Sequence, residues 1–263
     1  MCEGREGVNV NTREEAMEGA VAAAAFDGRN RSKNAAQLAA DVAALAQGLR
    51  SCILWDYPQV DGSAAAQRVA SALRASGFPE ATSIVIDGAP FVLPSRDELR
   101  RRRDPTFAVL EGDGAPRWAT AVETHAFADA LQQTCEALAD ILASPSPPPS
   151  INLVEGLEGR GLSPASLFGW LLDYPCIYAF ADGEAAARAL SGSESVVYRL
   201  EATCSSDGKT IEGHRFAVPA VLASGASFES ILRRRLDNLR ATHPHLQALD
   251  YPIQPPVAGT VAF

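Results

Sequence analysis

The sequence predicts an α/β fold: a mostly parallel sheet with helices on both faces, an antiparallel hairpin at one edge and two N-terminal helices. Three observations carry that expectation. From residue 52 to residue 180, short apolar runs alternate with stretches of helical periodicity, the order that βαβ units take, and right-handed crossovers then cover both faces of the sheet. Two longer runs, 195–203 and 211–222, flank Ser206-Asp207-Gly208-Lys209, where Asp-Gly supplies the positive φ values of a tight turn; such a pair commonly sits at the edge of a parallel sheet. Two alanine-rich segments, 14–26 and 34–49, read as helices, and Leu38, Val42, Leu45 and Leu49 form an apolar seam on the second.

Taken in order, residues 1–12 read as a loose tail ahead of a single domain over 13–263. Cys52-Ile53-Leu54-Trp55 is a short strand closed by Asp56-Tyr57-Pro58, and Ser63 caps a helix through Gly77 that turns Val69 and Leu73 inward. Residues 82–86 form a second strand; Ser95-Arg96-Asp97-Glu98 is a capping box for a helix to Arg103; residues 106–110 form a third strand. Thr120-Ala121-Val122-Glu123 is another capping box. The long helix it opens carries Phe127, Leu131, Leu138 and Leu142 at helical spacing, and a proline-rich stretch at 144–149 ends it. Residues 151–154 give a fourth strand.

The stretch 162–180, LSPASLFGWLLDYPCIYAF, organises the rest. Ser163 is an N-cap, Pro164 takes the first helical position, and the helix that follows has almost no polar face, so it should be enclosed. Pro175 stops it, and Cys176-Ile177-Tyr178-Ala179-Phe180 is a fifth strand. A short helix is expected over 183–190, and Ser227 is expected to cap a last one reaching Thr242, with Phe228, Ile231, Leu232, Leu236 and Leu239 as its apolar stripe.

A formal charge of −9 with 47% apolar residues describes a globular acidic chain, without the basic footprint of a nucleic-acid or anionic-membrane binder. Five cysteines, widely spaced and with no Cys-x-x-Cys, suit reduced thiols. There is no run of about 18 apolar residues, and acidic residues precede the alanine run at 20–25, the reverse of a signal peptide. The expectation is a cytoplasmic protein, with the nucleus also open.

If the sheet is parallel, Asp56, Asp87, Glu111 and Glu155 follow its first four strands along one edge, with Tyr57 at the rim. Ligands bind beyond the carboxyl ends of such strands, so these residues are the candidate magnesium or general acid/base site; carboxylates at helix starts are the plainer reading of the same positions. Gly156 to Gly161 could cradle an anion with Arg160, but its spacing matches neither nucleotide-binding glycine pattern. His125 and Asp129 share a helix face that Gln132, Glu136 and Asp140 continue, which describes a solvated stripe rather than a metal set. No cofactor or metal is read from the sequence.

Several segments together resemble the chromosome 1 open reading frame 74 family, which contains a domain of unknown function. They are Ile53-Leu54-Trp55-Asp56-Tyr57 with the helix ending Gly77-Phe78; Phe168-Gly169-Trp170-Leu171-Leu172-Asp173-Tyr174-Pro175 with Tyr178 and Phe180; and Phe216-Ala217-Val218-Pro219. Asp173 stands where that family tends to have glycine. The resemblance implies no activity. The sequence favours a protein-interaction or adaptor module whose apolar seams dock a protein partner, ahead of a small-molecule or phosphate-directed enzyme using the acidic edge.

Overall fold

Asp87-Gly88 decides the first sheet. In the computed structural model, which describes Met17, 19–21, Ala25, 31–57, 62–101, 103–111, 115–153, 156–157, 159–180, 194–205 and 208–254, both residues adopt positive φ, 48° and 82°. That is the two-residue turn joining β2 (Thr82–Ile86) to β3 (Ala89–Leu93), with Ile86 opposite Ala89 and Thr82 opposite Leu93. β1 (Ile53–Leu54) pairs antiparallel with the far side of β3. β1 and β2, expected as parallel neighbours, are therefore separated by a strand running the other way. Pro90 hides that strand in the sequence, because a proline argues against a central position. Here β1 pairs only with Phe91 and Val92, and Pro90 offers its carbonyl to the Trp55 N–H at 2.8 Å, so its missing donor is not needed.

Gly88→Ala tests the turn. A Cβ at Gly88 would meet nothing within 4 Å, so any loss reports backbone strain alone, about 1 kcal/mol of unfolding free energy by urea titration. An unchanged midpoint would contradict the left-handed assignment.

The second sheet has the order β5-β4-β6. β4 (Thr106–Leu110) and β6 (Cys176–Phe180) form a parallel ladder, Thr106 opposite Cys176 and Leu110 opposite Phe180, while β5 (Arg117–Trp118) lies antiparallel on β4. Of the described residues of the fourth expected strand, 151–153, Ile151 pairs, as a parallel bridge to Ile86. The third sheet is the hairpin of β7 (Ser195–Cys204) and β8 (Thr210–Pro219), with β9 (Leu246–Asp250) and β10 (Ile253–Gln254) antiparallel on β7. The mostly parallel sheet with an edge hairpin is thus corrected to three small sheets, mainly antiparallel, with the hairpin forming a sheet of its own. Mixed helices and sheets stand.

The helices follow their sequence signals closely. They are α1 (Arg31–Ala46), α2 (Gly62–Ala75), α3 (Asp97–Arg100), α4 (Ala121–Ala143), α5 (Pro164–Leu171), α6 (Ala220–Ala223) and α7 (Ala226–Thr242). Thr120 and Glu123 complete the capping box of α4, and Ser163 with Ser166 does the same for α5 behind Pro164. α3 lacks a side-chain cap at Arg96 and ends at Arg100, short of Arg103; α7 starts behind Gly225, with Ser227 inside the helix. Of the first N-terminal helix, Met17, 19–21 and Ala25 are described and helical. The expected helix at 183–190 lies outside the described residues.

Among the described residues three large apolar clusters result, with Leu110 and Phe180 forming a small fourth. Trp170, 1% exposed, centres one between α4, α5 and the first two sheets; Phe216 and Phe228 centre another between the third sheet and α7; α1 and α2 close the third over Trp55. α5 is enclosed, as its lack of a polar face requires.

Candidate functional site

The described carboxylates among the sequence-predicted residues have different surroundings. Asp56 is exposed after β1. Asp87 turns its Oδ1 back to accept from the Leu153 N–H at 2.8 Å, fastening residues 151–153 beside β2. Glu111 follows β4 in the second sheet and pairs with Arg117 at 2.5 Å, where Glu123 joins the same guanidinium at 2.8 Å. Glu155 lies outside the described residues. Tyr57 is buried rather than at a rim: its hydroxyl donates to Asp41, which also accepts from Gln37 at 3.2 Å and pairs with Arg50 at 3.1 Å. Burial, reinforced by the Asp41 charge, holds the Tyr57 phenol well above its ordinary range, and the group ties α1 to the end of β1.

The buried thiols are poor nucleophiles. Burial pushes Cys52, Cys135 and Cys176 up to about 12, so the thiolate is scarce at neutral pH. Among the described residues, no group of three His, Cys, Asp or Glu side chains could hold a metal ion.

A groove of about 440 Å³ opens where α4 faces the segment entering β4, with α5 beneath. One wall is the polar face of α4, with His125, Asp129 and Gln132 at the spacing that aligns side chains along a helix. The other wall is Arg103-Asp104-Pro105, and Trp170 lies in the floor. Local bonds hold the walls together: Gln132 Nε2 donates to the Arg100 carbonyl at 3.2 Å, and Arg100 pairs with Asp140 at 2.6 Å. Three buried polar atoms of this groove make no hydrogen bond: Arg103 Nε, Trp170 Nε1 and Gln132 Oε1. Buried polar atoms are nearly always paired, so two donors and an acceptor left over in one place mark unused binding capacity. At the mouth His125 Nε2 meets Asp129 Oδ2 at 3.2 Å, and Asp104 meets Arg234 at 3.6 Å; both pairs are largely exposed.

Behind the groove lies a buried ionic chain. α5 ends in Asp173 at φ 60°, the left-handed region in which the resembled family's glycine would rest without strain. The Asp173 carboxylate pairs with Arg235 of α7 and faces Arg103 Nε at 3.8 Å, while Glu98 lies 3.7 Å from the other side of Arg103. His214 of β8 is boxed by Tyr174, Phe216 and Tyr251, ring centroids 5.4 to 6.2 Å away, and neither ring nitrogen makes a well-formed hydrogen bond.

From the sequence, Arg103 is the end of the α3 helix, Trp170 belongs to an enclosed helix and His125 and Asp129 to a solvated stripe. The run of four arginines at 100–103 is a local signal, but only the packing of α3, α4 and α5 brings those residues to one groove.

Comparison with known proteins adds one likeness. Residues 113–240 match the model of a family described as Domain of unknown function (DUF4504). That span takes in α4, α5 and most of α7, and hence Trp170, the α4 wall and Asp173. No curated protein and no solved structure matches the chain.

Proposed function

We propose that the chain is a protein-interaction module that takes a short extended segment of a partner in the groove along α4. One observation carries the reading: Trp170 Nε1 and Gln132 Oε1, on two residues lining that groove, are buried without a hydrogen bond, and Arg103 Nε, on a third, has only the Asp173 carboxylate at 3.8 Å. Donors and an acceptor on residues lining one groove complement a peptide backbone, whose carbonyls and N–H groups alternate along an extended strand. The volume suits such a ligand, lying in the range of ordinary binding clefts. The separate engagement of Asp87 and Glu111 and the suppressed thiols favour binding over catalysis. We also read the chain as a single cytoplasmic domain and a relative of the chromosome 1 open reading frame 74 family; the matched domain of unknown function supports the kinship.

Calorimetric titration with a mixed pool of short acetylated, amidated peptides tests the reading. Saturable binding is expected, and Trp170→Phe and Gln132→Leu should each weaken it about tenfold, the worth of one hydrogen bond to a buried group. Urea titrations of both variants confirm that the folded fraction is intact at the titration temperature. No binding, or binding that neither variant weakens, would sink the proposal.

A further inference from the structure

The geometry points to a lysine- or arginine-bearing segment as the groove's occupant, an inference that rests on the peptide reading above. The charges on its walls decide the sign. Arg103, the guanidinium of the groove, has a side chain only 3% exposed and lies between Glu98 at 3.7 Å and Asp173 at 3.8 Å, carboxylates it shares with Arg101 and Arg235, so its charge is buried and partly offset while those at the mouth stay exposed. Asp104 and Asp129 stand at the mouth on separate walls, with side chains 77% and 58% exposed. Their own partners are weak competitors. Arg234 is 57% exposed and 3.6 Å from Asp104, His125 is 81% exposed and charged only when protonated, and solvated pairs of this kind exchange readily for a better-placed cation.

The floor supplies what a bare acidic patch would lack. Trp170, 1% exposed, holds a donor without a hydrogen bond, and Gln132 an acceptor without one. A basic residue within a peptide answers both halves: its backbone serves the floor, and its long side chain reaches the carboxylates while its methylenes cover the alanines of α4. A chain of net charge −9 also draws such a partner from a distance and slows any acidic competitor.

The test titrates the full chain with three acetylated, amidated glycine-alanine peptides that differ only at the centre, carrying lysine, norleucine or glutamate, and with n-butylamine as the side chain alone. The lysine peptide is expected to bind about tenfold tighter than the norleucine peptide, and the glutamate peptide weaker than both. Asp104→Asn and Asp129→Asn should each remove much of the lysine peptide's advantage over the norleucine peptide, and about 1 M salt should do the same. Equal binding of lysine and norleucine peptides overturns the cationic preference and leaves the peptide reading standing. Butylamine binding as tightly as the lysine peptide overturns the peptide reading and leaves a cation site. Binding of none overturns both.

Discussion

Asp173→Asn is expected to lower the unfolding free energy by about 3–5 kcal/mol, with a fall of roughly 10 °C in Tm. The aspartate is the shared counter-ion of Arg103 and Arg235, whose side chains are 3% and 19% exposed, and asparagine removes the charge while keeping a side chain that tolerates positive φ. Arg235 then loses this carboxylate partner, and Arg103 is left with Glu98, which also faces Arg101 at 3.6 Å. Strain can be separated from charge by comparing Asp173→Gly with Asp173→Ala. Both lose the carboxylate, but alanine at φ 60° stays strained, so the glycine variant should be the more stable by about 1 kcal/mol. Urea titration at neutral pH reads all three. An asparagine variant within about 0.5 kcal/mol of the parent would show that Asp173 does not hold the arginines in place.

The second large effect is in acid. Burial, helped by the charges of Arg235 and Arg50 and opposed by Asp173 and the Leu49 backbone, depresses His214 to about 3. A depressed folded-state value means that the native protein binds fewer protons than the unfolded chain. The stability His214 contributes is therefore complete above about pH 6.5 and is lost as pH falls through that window toward 3. The span of some three pH units corresponds to roughly 4 kcal/mol. His214→Phe keeps a ring among Tyr174, Phe216 and Tyr251 and removes the titration. The stability difference between parent and variant, followed by urea titration from neutral pH to the acid limit of the folded state, should shift in the variant's favour by most of that amount. A difference that does not move with pH would show that His214 finds protonated company when the chain folds. The other groups facing it, Asp173 above all, are common to both proteins and cancel.

Much of the secondary structure was legible locally. Ser163-Pro164 and the Thr120/Glu123 box mark helix starts because a side-chain oxygen satisfies an orphan N–H within four residues, a relation contained in the sequence itself. β2, β4 and β6 fall on the expected spans for the same reason: their residue types favour a half-buried pleat. The Asp-Gly signal that marked the late hairpin was equally present at Asp87-Gly88. There Pro90 masked the returning strand, and one unread reversal was enough to turn a parallel sheet into an antiparallel one.

By itself, then, the sequence determined where α4 and α5 begin, that 82–86, 106–110 and 176–180 are strands, that the helix around Trp170 is enclosed, and that the chain is acidic. Strand direction, sheet membership and the groove were decided only in the tertiary structure. Arg103, Gln132 and Trp170 lie in three segments that share no local signal, and they meet because α3, α4 and α5 bury their apolar stripes against common sheets. Burial depends on the sum of such contacts rather than on any window of sequence. The pairing of Asp173 with two distant arginines, and the isolation of His214 from protons, belong to the same level of organisation.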